Sequence, residues 1–230
     1  MSDINLYEVY KYSSIESLNN ALLHACEDRQ FDRIKFLLTD TRLNKNVSVQ
    51  ANDNVALHIS CEKGYLEITK YLLTSPELKE HADIHSENEY PLSMACYYGH
   101  LETVKYLLTS PELKDHSDIY ANKCQAFKDA CMNDHIEIID YLLNSPELDK
   151  HIDIHYDNDS FFHQIISSRD FDLAKYFIFD LNITKTEHIE EFLKDPSMHE
   201  VVEMFKLREL NEDLHKELDS KESVTKKIKI

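Results

Sequence analysis

The chain has 230 residues, 42% hydrophobic and 30% charged, and its 25 Lys plus Arg against 43 Asp plus Glu give a formal charge of −18. A surface this acidic repels phosphate backbones, and the one basic cluster, Lys226, Lys227 and Lys229, is too short to reverse that, so nucleic acid is disfavoured as a partner. No apolar stretch approaches the roughly 18 residues of a membrane span, and the start Met1-Ser2-Asp3-Ile4-Asn5 lacks the pattern of a signal peptide. The expectation is a soluble cytoplasmic protein with no membrane partner.

In chain order, residues 4–12 read as a short helix, and 1–13 as an N-terminal cap. Ser13 and Glu16 form a capping box for a helix carrying Leu18, Leu22 and Ala25. A self-similar pattern then takes over. The run Tyr-Leu-Leu-Thr/Asn-Ser-Pro-Glu-Leu begins at Tyr71, Tyr106 and Tyr141, 35 residues apart, with looser copies at Phe36 and Tyr176. Five in-phase units are expected, at about 14–48, 49–83, 84–118, 119–153 and 154–183. Such a period means stacked units, each burying its apolar face against its neighbours.

The third unit is the clearest. Pro91 suits the first turn of a helix, and Leu92, Ala95 and Cys96 recur at i, i+3 and i+4 to give it one apolar face. Gly99 can end that helix in a left-handed conformation, and Leu101, Val104, Leu107 and Leu108 line a second one. After the second helix, Ser75-Pro76-Glu77 reads as cap, proline and first-turn acid, which predicts a short extra helical turn. Beyond Leu181 the repeat dissolves. Thr184 and Glu187 predict another capping box, before a helix with Ile189, Phe192 and Leu193. Asp195-Pro196 precedes a longer helix holding Val201, Phe205, Leu207, Leu210, Leu214 and Leu218. Residues 184–219 are expected to form a C-terminal cap, or a helix for self-association, and 220–230 a disordered tail.

The pattern resembles the ankyrin repeat family, whose signature is Thr-Pro-Leu-His-x-Ala-Ala-x-x-Gly-His-Leu-Glu-Val-Val-x-Leu-Leu-Leu. Pro91-Leu92, Ala95, Gly99-His100-Leu101-Glu102 and Leu107-Leu108 match it, as do Ala56-Leu57-His58, Gly64, Leu66-Glu67 and Leu72-Leu73. The resemblance implies an all-α, helix–turn–helix solenoid with shortened fingers and a helical C-terminal cap. It departs from the family at the helix–helix turn, where Arg29, Asp134 and Arg169 replace glycine.

The register also disposes of two chemical readings. Cys26, Cys61, Cys96 and Cys131 share one position, and the fifth unit has Ile166 there, so the slot reads as core rather than disulfide or metal. His81, His116 and His151 share another, strung along the stack rather than converging on an ion. With two glycines in the chain there is no phosphate loop. No catalytic residue, cofactor or metal is expected, and the chain is not read as an enzyme.

Recognition remains. The resemblance implies that partners meet the first helices and finger tips on the concave side. Tyr90, Met94, Tyr97, Tyr98 and Met132 form an aromatic and apolar cluster there, rimmed by Glu62, Lys63 and Asp129, with Glu87 and Glu89 nearby. Tyrosine offers large contact area with little entropy to lose. The other reading of Tyr97 and Tyr98 packs them on neighbouring units or leaves them as isolated surface residues. The expected function is binding of a protein partner, basic in character, by a monomer. A self-associating structural protein, or a viral or pathogen effector acting in host cytoplasm, is the alternative.

Overall fold

A computed structural model describes the backbone of residues 3–43 and 47–228 and the side chains of 6–43 and 47–219. The regular structure of the described residues is all helical, with no strand, and the chain falls into two compact units, Met1–Ile152 and Asp153–Ile230.

The first unit opens with α1 (Asp3–Tyr10), which packs against the helix at Phe31–Thr39. Four helix pairs follow: α2 (Ile15–Glu27) with α3 (Phe31–Thr39), α4 (Ala51–Glu62) with α5 (Leu66–Thr74), α6 (Ser86–Tyr97) with α7 (Leu101–Thr109), and α8 (Ala121–Met132) with α9 (Ile136–Asn144). The first helices α2, α4, α6 and α8 lie side by side, and so do the second helices α5, α7 and α9. The period explains this, because equivalent residues stack: Leu22, Leu57, Leu92 and Phe127 are all buried, as are Leu37, Leu72, Leu107 and Leu142. One substitution is coupled. Where other pairs put Ala and an aliphatic residue, the second puts Ser60 and Thr69, both fully buried. The Thr69 hydroxyl donates to Ser60 Oγ at 3.0 Å, and Ser60 donates to the Leu57 carbonyl at 2.9 Å. Two buried polar groups are tolerated because each answers the other.

The helix–helix turns keep the left-handed residue whether or not it is glycine: φ is 53° at Arg29, 65° at Gly64, 78° at Gly99 and 56° at Asp134. A second constraint separates the glycines. A Cβ at Gly64 would come within 2.4 Å of the His100 ring, and one at Gly99 within 2.5 Å of His135. These rings cross between pairs, His100 Nε2 donating to the Glu62 carbonyl at 2.7 Å and His135 Nε2 to that of Tyr97 at 2.9 Å. Glycine stands where a histidine of the next pair needs the space.

The fingers are short and unlike a hairpin. At the heads of α4, α6 and α8 three successive residues are left-handed: Asn52–Asn54, Glu87–Glu89 and Asn122–Cys124. Such residues seldom occur except singly, and Asn tolerates the conformation best; five of these nine positions are Asn or Asp. Asn54 adds a bond from its side-chain carbonyl to the Asp83 amide at 2.8 Å.

Two local expectations in the first unit are corrected. Ser75-Pro76-Glu77-Leu78 forms one hydrogen-bonded turn, Leu78 N to Ser75 O at 3.1 Å, and no helix. The same Ser75 carbonyl also accepts from His81 Nε2 at 3.0 Å, a bond that His116 and His151 repeat at Ser110 and Ser145. The cap of α2 is Ser14, one residue past the expected Ser13, accepting from Ser17 N at 3.1 Å.

In the second unit α10 (Tyr156–Ser167) pairs with α11 (Phe171–Lys175), which loosens into a π turn over Tyr176–Asp180. Arg208 caps the freed backbone by donating to the carbonyls of Ile178 and Ile183 at 3.2 and 2.7 Å. Next come α12 (Glu187–Phe192), capped by Thr186 rather than the expected Thr184, and α13 (His199–Ile228). The Thr186 hydroxyl also bonds buried Asp159, which holds it at the cap position. Val201 and Phe205 are buried within this unit, and Phe205 meets Phe162 edge to face at 6.0 Å. Leu207, Leu210, Leu214 and Leu218 are 52–66% exposed. The helix runs on through 220–228, where a tail without order was expected, because no Gly or Pro stops it there.

Candidate docking face

The expected recognition residues lie on α6 and on the helices flanking it, α4 and α8. After the left-handed triplet, Pro91 sits in the first right-handed turn, where its missing N–H leaves no bond unmade. Tyr90, Met94 and Tyr97 then recur at i, i+4 and i+7, one face over two turns, about 10 Å long. Tyr98 is the C-cap residue beside them. Tyr90, Tyr97, Tyr98 and Met132 are 38%, 39%, 46% and 52% exposed, and Met94 is half-buried.

Each ring is also held by a neighbour. Tyr97 and Tyr98 meet edge to face at 4.9 Å, and Tyr98 stacks on His100 at 6.5 Å. Tyr90 meets His58 of α4 edge-on at 4.8 Å. His58 is buried and bonds Ser86 Oγ at 2.9 Å. Burial lowers its pKa, although Glu87 and Asp53 pull the other way, so the ring is neutral at pH 7. The tyrosines are thus neither loose nor buried. Their rings are positioned at the back and open at the front, an arrangement that limits the entropy lost on contact.

The rim divides. On α4, Glu62 pairs with exposed Lys63 at 2.7 Å, and Glu87 at the head of α6 is exposed. Asp129 does not reach the surface: it is 5% exposed, and its carboxylate accepts from Gln125 at 2.7 Å. Burial raises its pKa, against the bonds from Gln125 and Ser93. Glu89, expected to steer a partner, is buried too and bonded to His85 Nδ1, whose Nε2 lies 3.3 Å from Asp115. The left-handed triplet turns Glu89 inward, which no one-dimensional pattern signals. His58 was the reverse case, unassigned in the sequence although it seats Tyr90.

Among the described residues no group of three or more His, Cys, Asp or Glu is placed to hold a metal ion. All five cysteines are free and buried, and burial pushes the Cys26 and Cys61 thiols up to about 12. No helix among the described residues is long and apolar enough to cross a membrane.

The family profile described as ankyrin repeats (3 copies) matches residues 5–80 and 76–155. The chain belongs to the ankyrin repeat family. Repeats of this family are, in general, protein-interaction modules, and the helix pairs of the first unit are its structural units. No curated protein matches the sequence.

Proposed function

We propose that this ankyrin repeat protein is a non-catalytic binding module of five repeats that docks a protein partner on its concave, first-helix face. Tyr97 and Tyr98 are the anchors, Tyr90, Met94 and Met132 extend the contact, and Glu62 and Lys63 form its charged rim. The observation that carries the reading is the contiguous run of exposed aromatic and apolar side chains along α6, at positions where the equivalent residues of α2 are Glu27 and Asp28. Exposed Tyr clusters of this kind dominate binding energy where they meet a partner. The test is titration of the purified partner with wild type and with Tyr97→Ala plus Tyr98→Ala; the double variant should lose at least about 2 kcal/mol at unchanged helix content. Unchanged affinity would remove these anchors.

The exposed Leu207, Leu210, Leu214 and Leu218 of α13 favour a second reading, self-association through that helix. Light scattering on wild type and Leu214→Lys separates the two. A dimer lost in the variant supports assembly, and a monomer in both supports a simple binding module.

A further inference from the structure

Three tyrosines elsewhere in the first unit carry a cation from the preceding helix pair. Lys70 Nζ stands 5.2 Å from the centre of the Tyr106 ring, Lys105 Nζ 5.9 Å from that of Tyr141, and the Arg29 guanidinium 5.3 Å from that of Tyr65. Among the described residues no lysine or arginine stands over Tyr90, Tyr97 or Tyr98. The nearest candidate, Lys63, is committed to Glu62 at 2.7 Å. The surroundings are nonetheless those that favour a cation. Glu62 and Glu87 both act on the Tyr90 hydroxyl, adding to the rise in its pKa that burial mainly causes. Tyr97 and Tyr98, at 67° to one another, offer two differently oriented π faces within 4.9 Å.

We infer that the α6 face takes a cationic side chain, arginine or lysine, from a basic segment of the partner, seated against Tyr90, Tyr97 and Tyr98 with Glu62 and Glu87 as its counter-charges. The contact is the Lys-over-Tyr pairing that holds successive helix pairs together, with the cation supplied from outside. Arginine suits it best, because a planar guanidinium stacks on a ring while bonding a carboxylate with its edge. Glu62 would then exchange its pairing with Lys63 for one across the interface. The inference rests on the α6 face being the docking surface.

The test uses the full chain with isotope-labelled tyrosine rings and two alanine-flanked pentapeptides, one with a central arginine and one with its uncharged isostere, citrulline. The arginine peptide should move the ring signals of Tyr90, Tyr97 and Tyr98 in a saturable way, and the citrulline peptide should bind at least about fivefold more weakly. Glu62→Gln with Glu87→Gln should weaken the arginine peptide and leave the Tyr106 and Tyr141 signals in place, which shows the fold intact. Equal affinities, or an arginine peptide that leaves the three rings unmoved, would overturn the inference. Either result leaves the docking face standing, since that reading falls only if the Tyr97 and Tyr98 double variant keeps its affinity for the protein partner.

Discussion

The two edges of the first unit obey opposite rules. Along the second helices, what one pair does the next repeats: His81, His116 and His151 each take a serine carbonyl, and Lys70 and Lys105 each cover a tyrosine. Along the first helices, one position reads Glu27, Glu62, Tyr97 and Met132, and although its backbone carbonyl is bonded alike at Glu62 and Tyr97, no side-chain bond recurs there. Residues that recur in register are answering a structural demand that recurs in register. Residues that change from copy to copy are released from that demand, and only they can be fitted to a partner.

The largest stability effect should come from the repeating scaffold. Gly64→Ala meets both a left-handed backbone and the His100 ring, so a cost of about 2 kcal/mol or more is expected in urea unfolding, against the 1–2 kcal/mol of backbone strain alone. Alanine at Arg29, already a left-handed non-glycine, should cost far less, which would isolate the contribution of the crossing histidine. Next comes His116→Ala, which frees the Ser110 carbonyl and should cost about 1 kcal/mol with no change in partner affinity. A loss of binding there would break the division between edges.

Acid should act through His58 and His85 with opposite signs. Burial depresses the His58 pKa, so its contribution is present above about 6.5 and is lost as pH falls through its lowered folded value. For His85, burial is outweighed by Glu89 and Asp115 and the pKa is raised. Its contribution is present below about 6.5 and is lost as pH rises through the raised value. His85→Gln should therefore sharpen the loss of stability between pH 7 and pH 5, as read by urea midpoints. The smallest effect belongs to the coupled core pair: Ser60→Ala with Thr69→Val removes both polar partners together, and should be neutral within about 0.5 kcal/mol.

What the sequence revealed depended on whether a demand repeats. The helix pairs, the buried cysteine slot and the structural histidines are legible because 35-residue register superimposes them. The α2 cap was misplaced by one residue because Ser13 and Ser14 are chemically equivalent candidates and only backbone geometry chooses between them. The predicted turn of helix after Ser75 shrinks to the single Leu78-to-Ser75 hydrogen bond, and His81, six residues on, bonds the same carbonyl, a contact that sequence spacing alone does not show. Asp129 and Glu89 looked like rim charges because charged residues default to the surface. Their burial follows from contacts with Gln125 and His85 that only a folded chain assembles.

The division between the edges is tested most directly by titrating one purified partner with three proteins: wild type, Tyr97→Ala plus Tyr98→Ala, and Lys70→Ala plus Lys105→Ala. A loss of at least about thirtyfold in the tyrosine variant, with the lysine variant binding as wild type while unfolding at lower urea, is the predicted result. Binding that survives in the tyrosine variant and fails in the lysine variant would place recognition on the repeating edge and contradict the account.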